Sequence, residues 1–542
     1  MTSRDDDARG PLLATPALMS AKHAPVGCRL PSRYAELLGC CLAASLAVLP
    51  ACNDRHAGSS MTTADDPARP GASASAAATT YADASIPDEK LRSALEEAMA
   101  RDAVLQGLPI HVTVGNGNVV LFGSVPTLAA KWRATRLVGS FKGALTLTDG
   151  IQVSAAARPD AELARDVNAA IQGDAATRAT TVRATANDDT VTLSGAADSY
   201  AQRELVADMA SHVRGVRDLK LAIAIAPAAP RADAEIARNV TSDLLEDARL
   251  DGPRITVAVH GGVAGLSGVV GSLAQREAAA GDAMRGGATS VDANALRIDW
   301  RESTRARAMA RQPLPADEQI SAAVTRALAD DVRVGVEAPL VRVEGGVVTL
   351  SGKVEDFRAG RAAVRDARLV SGVSRVDDTI TVEAAKSQSD VTIQKQVLAG
   401  IYGDVAAADS QDVRVTTTMA KVTLRGTVAT RKDKAVIEDD VEEVPGVVAV
   451  DNELQVRGND AFITPVALRR GVTEGIFWDP RIASPDPISV DASAEGDVTL
   501  TGHVDSWQEV RAAGDDAVAA GAAHVINNLQ IATDAVPRIA RK

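Results

Sequence analysis

Six times along the chain a short apolar strand runs into a glycine: VVLFG (119–123), VTLSG (191–195), VAGLSG (263–268), VTLSG (348–352), VTLRG (422–426) and VTLTG (498–502). The closing glycines, Gly123, Gly195, Gly268, Gly352, Gly426 and Gly502, lie 72, 73, 84, 74 and 76 residues apart. Upstream of each stands an apolar triplet at i, i+4, i+8, the stripe of an amphipathic helix. The triplets are Leu91/Leu95/Met99, Leu163/Val167/Ile171, Ile236/Val240/Leu244, Ile320/Val324/Leu328, Ile393/Val397/Ile401 and Leu468/Val472/Ile476. From triplet to glycine is 32 residues in four repeats, then 33 and 34. A length of 542 suggests three or four domains, but this period makes the chain an array of six small ones.

Each unit reads alike. Asp88, Asp160, Asp233 and Asp317 stand where the N-cap of the first helix belongs. A strand such as VRVEG (341–345) follows, then a turn at Asn116-Gly117, Gly261-Gly262 or Gly345-Gly346 that supplies positive φ to a hairpin. After the glycine-ended strand comes a second helix (Ile437/Val441/Val444; Val206/Ala210/Val213), a second glycine (Gly143, Gly215, Gly372, Gly446) and an alternating last strand, VVAVDNELQV (447–456). The order α-β-β-α-β makes the fold class α+β, a tandem array in which a three-stranded sheet packs on two helices. With aromatics at 2% and apolar residues at 46%, Ala, Val, Leu and Ile must build the cores. A bulky residue five places after the motif glycine (Leu128, Tyr200, Leu273, Phe357, Trp507) reads as helix-to-sheet packing. A lone unit of this size supplies only about 3–5 kcal/mol, so neighbouring units are expected to pack together.

The V-T-L-S-G strand end, the Gly-Val pairs (Gly215-Val216, Gly372-Val373, Gly446-Val447), the VDN-x-L strand at 450–454 and Asp479-Pro480-Arg481 together resemble the BON domain, the module of bacterial osmotically induced (OsmY-type) and nodulation proteins. Repeats two, four and five fit it well. Repeats three and six depart from it with Gly286-Gly287 and Gly521-Ala522. The six motif glycines are structural, serving tight turns and close packing. The resemblance implies an envelope protein without catalytic activity, one that binds phospholipid surfaces or acts as a periplasmic chaperone.

Residues 37–51, LLGCCLAASLAVLPA, are an apolar run behind Lys22, Arg29 and Arg33, too short to span a bilayer and suited to a signal peptide. The run ends Leu49-Pro50-Ala51-Cys52, which resembles the lipobox of bacterial lipoproteins and implies lipidation at Cys52. Ordinary cleavage after Ala51 is the other reading. Residues 53–85 make a tether spanning roughly 30 Å as a coil. The division is therefore signal peptide 1–51, with Met19 as a second candidate start, lipidated Cys52 and tether 52–85, a basic linker 300–315 and a tail 532–542. The repeats occupy 86–153, 158–225, 231–299, 316–383, 388–456 and 459–531. The expected location is the periplasm, anchored in the inner leaflet of the outer membrane rather than in the inner membrane.

A net charge of −13 argues against nucleic acid as a partner. No cysteine follows Cys52, so a Cys nucleophile, a disulfide framework or a Cys-held zinc in the repeats is excluded. Seven scattered histidines form no paired motif, and no phosphate loop or nucleophile elbow occurs, so neither metal nor cofactor is expected. Ser194, Ser267 and Ser351 recur at the strand end, but Phe122, Arg425 and Thr501 replace them elsewhere. Three features suit binding to anionic phospholipid: Arg358, Arg361, Arg365 and Arg368 on one helical face; Arg301, Arg305, Arg307 and Arg311 in the linker; and the Phe477-Trp478 pair. Solvated faces with acidic partners, and for the aromatic pair an inter-domain contact, are the competing readings. A holdase or scaffold that captures envelope proteins through open sheet edges is the alternative function.

Overall fold

A computed structural model describes residues 86–102, 104–155, 158–225, 231–250, 254–303, 315–335, 338–383, 388–403, 412–428, 431–457 and 464–531. The signal segment, Cys52, the tether, the tail, and Arg305, Arg307 and Arg311 of the linker lie outside them. All six units have the order α-β-β-α-β and a three-stranded sheet, so the α+β class holds. In repeat one, α1 (Asp88–Arg101) buries Leu91, Leu95 and Met99 on one stripe. The strands β1 (Ile110–Gly115) and β2 (Asn118–Val125) form an antiparallel hairpin. Next α2 (Leu128–Ser140) crosses over, and β3 (Thr146–Val153) lies parallel to β2. A parallel return needs a connection of helix length, which is why each unit carries its second helix. The glycine-ended strand is the middle one of every sheet, and Val119, Leu121 and Val125 send its apolar face inward.

The aspartates before the first helices do not cap them. Asp88, Asp160, Asp233 and Asp317 are the first helical residues, after Pro87, Pro159, Ala232 and Ala316, and make no cap hydrogen bond. Their carboxylates reach instead to the hairpin turn. Asp88 accepts from the Asn116 and Gly117 N–H groups at 2.7 and 3.0 Å, and Asp317 from Gly345 and Gly346 at 2.8 and 2.9 Å. Asp390 does the same with Met419 and Ala420. In repeat three the paired donors Gly262 and Gly261 hold the Asp233 carboxyl below its ordinary range. The clasp joins the helix start to a turn 28–30 residues on, and repeat six lacks it because Pro465 stands there. Replacing Asp317 by Ala is expected to cost on the order of 1–2 kcal/mol, since two donors lose a charged acceptor. Amide exchange at Gly345 and Gly346 should then accelerate; unchanged exchange would refute the clasp.

Side-chain caps belong to five second helices and to the first helices of repeats five and six, where Ser389 and Thr464 accept the Thr392 and Ala467 N–H groups. Thr127, Ser199, Ser272, Asp356 and Ser506 each accept the N–H three residues on.

The repeats pack together, and partners in space are not only neighbours in the chain. Repeats one and two share a core that also takes Leu273 of repeat three and Trp478 of repeat six. One backbone contact occurs twice. The residue before the second glycine donates its N–H to the carbonyl of another repeat's last first-helix residue. Lys142 donates to Trp478 at 3.1 Å, and Ser371 to Glu246 at 2.6 Å. It joins repeat one to six and repeat four to three. Repeat five meets repeat four where the Phe357 N–H donates to the Val447 carbonyl at 3.0 Å, and repeat two where Gln388 donates to the Gly173 carbonyl at 2.8 Å. Leu273 and Phe357, read as helix-to-sheet packing, therefore serve the cores of other repeats. The side chain of Trp507 lies outside the described ones.

Candidate functional site

The arginine face of repeat four is carried by the helix Phe357–Leu369, and the structure divides it. Arg358 is buried at 7% exposure and forms a two-pronged ion pair with Asp174 of repeat two, itself 0% exposed. Arg361 bonds Asp439 at 2.8 Å and also Glu442, both on the second helix of repeat five. Only Arg365 and Arg368 face solvent, and Arg365 lies 4.0 Å from Glu443. The four-arginine face is thus corrected to two exposed residues, because acidic residues of other repeats meet the first two. Arg301 stacks its guanidinium 5.1 Å over Trp300.

The aromatic pair of repeat six packs at the contact with repeat one. Phe477 and Trp478 close the first helix, Pro465–Trp478. The Trp478 ring lies 5.6 Å from Phe141 and 5.0 Å from Phe477, and is buried. Lys90 sits 3.9 Å above Phe477, and buried Lys142 reaches the Ile482 carbonyl at 3.4 Å. Burial pushes the Lys142 amine down to about 8, with Asp479, Asp516 and Glu509 working against the shift. This pair is therefore an inter-repeat contact and is corrected out of the lipid-facing set.

A surface that the sequence reading passed over lies on the same helix. Its outer side presents Val466, 65% exposed, with Arg469 and Arg470 in the next turn. Its first turn holds no acid, whereas the other five first helices each have one or two there. Arg470 lies 3.9 Å from Glu474. The available signal was Pro465 in place of the aspartate.

Between the repeats lies a cavity of about 1410 Å³, lined by all of repeats one to five and mainly by charged side chains. Among the described residues, no group of three or more His, Asp and Glu is arranged to hold a metal ion, and no helix is long and apolar enough to cross a membrane. Ser194, Ser267 and Ser351 lie opposite Arg183, Thr256 and Leu340 on the hairpin partner, so no histidine faces them there.

The BON domain matches this chain at residues 87–155, 159–227, 232–299, 316–384, 389–458 and 466–533. Osmotically-inducible protein Y of Escherichia coli (strain K12) is 33% identical over 147 residues, which are 26% of this chain and 73% of that protein. The C-terminal domain of CdsD, the structural protein of the type III secretion system of Chlamydia trachomatis, aligns at 11% identity and a TM-score of 0.12. It covers 41% of this chain and 98% of that domain. A second CdsD structure covers 42% and 94% at 17% identity, again with a TM-score of 0.12. These TM-scores bear on neither fold nor function.

Proposed function

The chain belongs to the BON domain family, and from that premise we propose that it is a non-catalytic, envelope-associated protein of osmotic stress that binds anionic phospholipid surfaces. The supporting observation is the first helix of repeat six, where Val466, Arg469 and Arg470 make an exposed apolar and basic strip with no acid in its first turn. Such a strip suits a headgroup layer, the valine entering the acyl boundary and each cation adding about 1 kcal/mol near an anionic surface. Arg365 and Arg368 are two further exposed cations. The reading includes an acyl anchor at Cys52 in the inner leaflet of the outer membrane. Two or more acyl chains hold stably where one does not.

The chain without its acyl groups should sediment with phosphatidylglycerol vesicles and not with phosphatidylcholine vesicles. Arg469→Ala with Arg470→Ala should weaken that binding by roughly thirtyfold, two charges at about 1.4 kcal/mol per factor of ten. Equal sedimentation with both lipids would overturn the reading, and Cys52→Ala staying in the membrane fraction of cells through a high-salt wash, which screens attraction to headgroups, would overturn the anchor. A second reading, a holdase that adds client strands to open edges, draws on Leu340, 73% exposed on the outer strand Leu340–Glu344 of repeat four. Suppression of client aggregation without vesicle binding would favour it.

A further inference from the structure

The sheet of repeat one buries Val112, Val119, Leu121 and Ile151 on one face, and its opposite face meets solvent. Two cross-strand rows make up the middle of that outer face: His111, Phe122 and Gly150, then Thr113, Val120 and Thr148. None of the six residues is an acid, a lysine or an arginine. Every other repeat places a charge in one of the matching rows: Lys220, Asp292, Arg342, Arg425 with Glu453, and Asp491. Phe122 is 43% exposed and is the one exposed aromatic among the described side chains; Val120 beside it is 36% exposed. The His111 ring leans on Phe122 from the outer strand, 5.2 Å between centroids and 32° between planes. On the other neighbouring strand, level with Phe122, stands Gly150.

That glycine answers to no demand of its backbone. Gly150 lies inside a regular strand and is not at positive φ. A Cβ there would stand 3.0 Å from the Leu121 carbonyl oxygen and 3.8 Å from the Phe122 Cβ. The other five repeats nevertheless carry a side chain in the same register, at Ala222, Ala295, Thr379, Glu453 and Asn528. Glycine in a strand interior weakens the strand and marks a place where a ligand or another backbone comes close. Gly150 is exposed, so the approach is from solvent, beside the Phe122 ring.

We propose that this face binds an uncharged glycan, a β-1,4-linked hexopyranose chain. Equatorial linkages keep such a chain a flat ribbon, with axial C–H groups lining the faces of its rings. Those weakly positive hydrogens suit the negative face of an aromatic ring, and Gly150 leaves room for a sugar ring beside Phe122. Hydroxyls at the sugar's rim meet Thr113, Thr148 and the His111 ring nitrogens, exchanging hydrogen bonds to water for hydrogen bonds to protein. An anionic bilayer calls for lysines or arginines, and these rows hold none. A second copy stacked face to face would bury only Val120 and Phe122 as apolar contacts, where a stable interface covers roughly 800 Å² per partner. A neutral ligand with hydroxyls at its edge and C–H groups on its face is the occupant that matches both kinds of residue.

Calorimetric titration of the full chain with chitohexaose, a chain of β-1,4-linked N-acetylglucosamine, tests this. The expected result is saturable binding that falls about tenfold in Phe122→Thr and in Gly150→Thr. Both changes install residues already used at these positions, Thr501 in repeat six and Thr379 in repeat four. Phe122→Trp should bind at least as tightly as the parent, because a ring is what holds the sugar. Arg425→Thr, the matching position of repeat five, should leave binding unchanged. Melting by circular dichroism checks that each variant is folded. The proposal is overturned by no binding of chitohexaose, by equal binding of maltohexaose, whose α-linked chain coils, or by undiminished binding in Phe122→Thr. It is overturned too if Phe122→Thr loses vesicle sedimentation, or dissociates a dimer seen by ultracentrifugation, which would give the face to a bilayer or to a second copy. Arg469→Ala with Arg470→Ala should bind chitohexaose as the parent does, so the lipid reading and this one fail separately.

Discussion

Alanine at Gly123 or at Gly502 should unfold the repeat that carries it, with a loss above about 4 kcal/mol, beyond the range of ordinary substitutions. Two costs add at these positions. The backbone stands at φ +127° and +128°, where an L side chain is strained, a cost of about 1–3 kcal/mol. A Cβ would also lie 1.9 Å from the Pro109 carbonyl oxygen at Gly123 and 1.9 Å from that of Pro487 at Gly502. That oxygen cannot withdraw freely, since in repeat one it accepts the Ser124 N–H at 3.2 Å and so closes the hairpin. Gly352 separates the two costs. Its φ is +119°, but the nearest atom to a Cβ is 3.8 Å away, so Gly352→Ala should lose only the backbone share, about 1–3 kcal/mol. Hydrogen exchange resolved by repeat, with urea titration, reads the difference. Equal losses at Gly502 and Gly352 would show that the carbonyl contact contributes nothing.

Removing Arg358 alone should cost about 3–5 kcal/mol, because it strands a carboxylate in the interior. Asp174 is 0% exposed, and the Arg358 guanidinium meets both of its oxygens. The second lone pairs of Asp174 serve the Ala176 N–H at 2.8 Å, so the carboxylate is fixed in place and cannot turn to water. Arg361 makes the comparison, three positions along the same helix. Its side chain is 36% exposed beside Asp439, 62% exposed, and a pair of that kind contributes about 0–1 kcal/mol. Arg358→Met combined with Asp174→Leu should recover most of what Arg358→Ala loses, as apolar replacement of a buried pair is often neutral. Thermal melting of the three variants and of Arg361→Ala decides the matter. Equal losses for Arg358→Ala and Arg361→Ala would mean that the buried pair does not hold repeat four against repeat two.

Periodicity made the interior of each unit readable. Leu91, Leu95 and Met99, and their counterparts in the other repeats, point inward because every fourth residue of a helix returns to one face. The hairpin glycines were readable for the same local reason. Readings that needed a partner fared otherwise. Asp317 looks like a cap from its own neighbourhood, yet its carboxylate serves Gly345 and Gly346, 28 and 29 residues away; the repeated spacing was present but carries no sign of contact. Arg358 and Arg368 look equivalent along the helix, and an acid in repeat two, 184 residues distant, makes them opposites.

Read alone, the sequence determined the six units and their element order. Each follows from periods and turn chemistry within some seventy residues. Tertiary structure alone decided which charges remain available to a ligand, because burial and pairing come from surfaces that meet only when the array packs. It turned an arginine stripe into one buried and one half-buried inter-repeat ion pair and two exposed cations, and the aromatic pair into the contact between repeats one and six. It also left the first helix of repeat six as the exposed basic strip. Charge in a chain is local, but its solvation belongs to the whole fold.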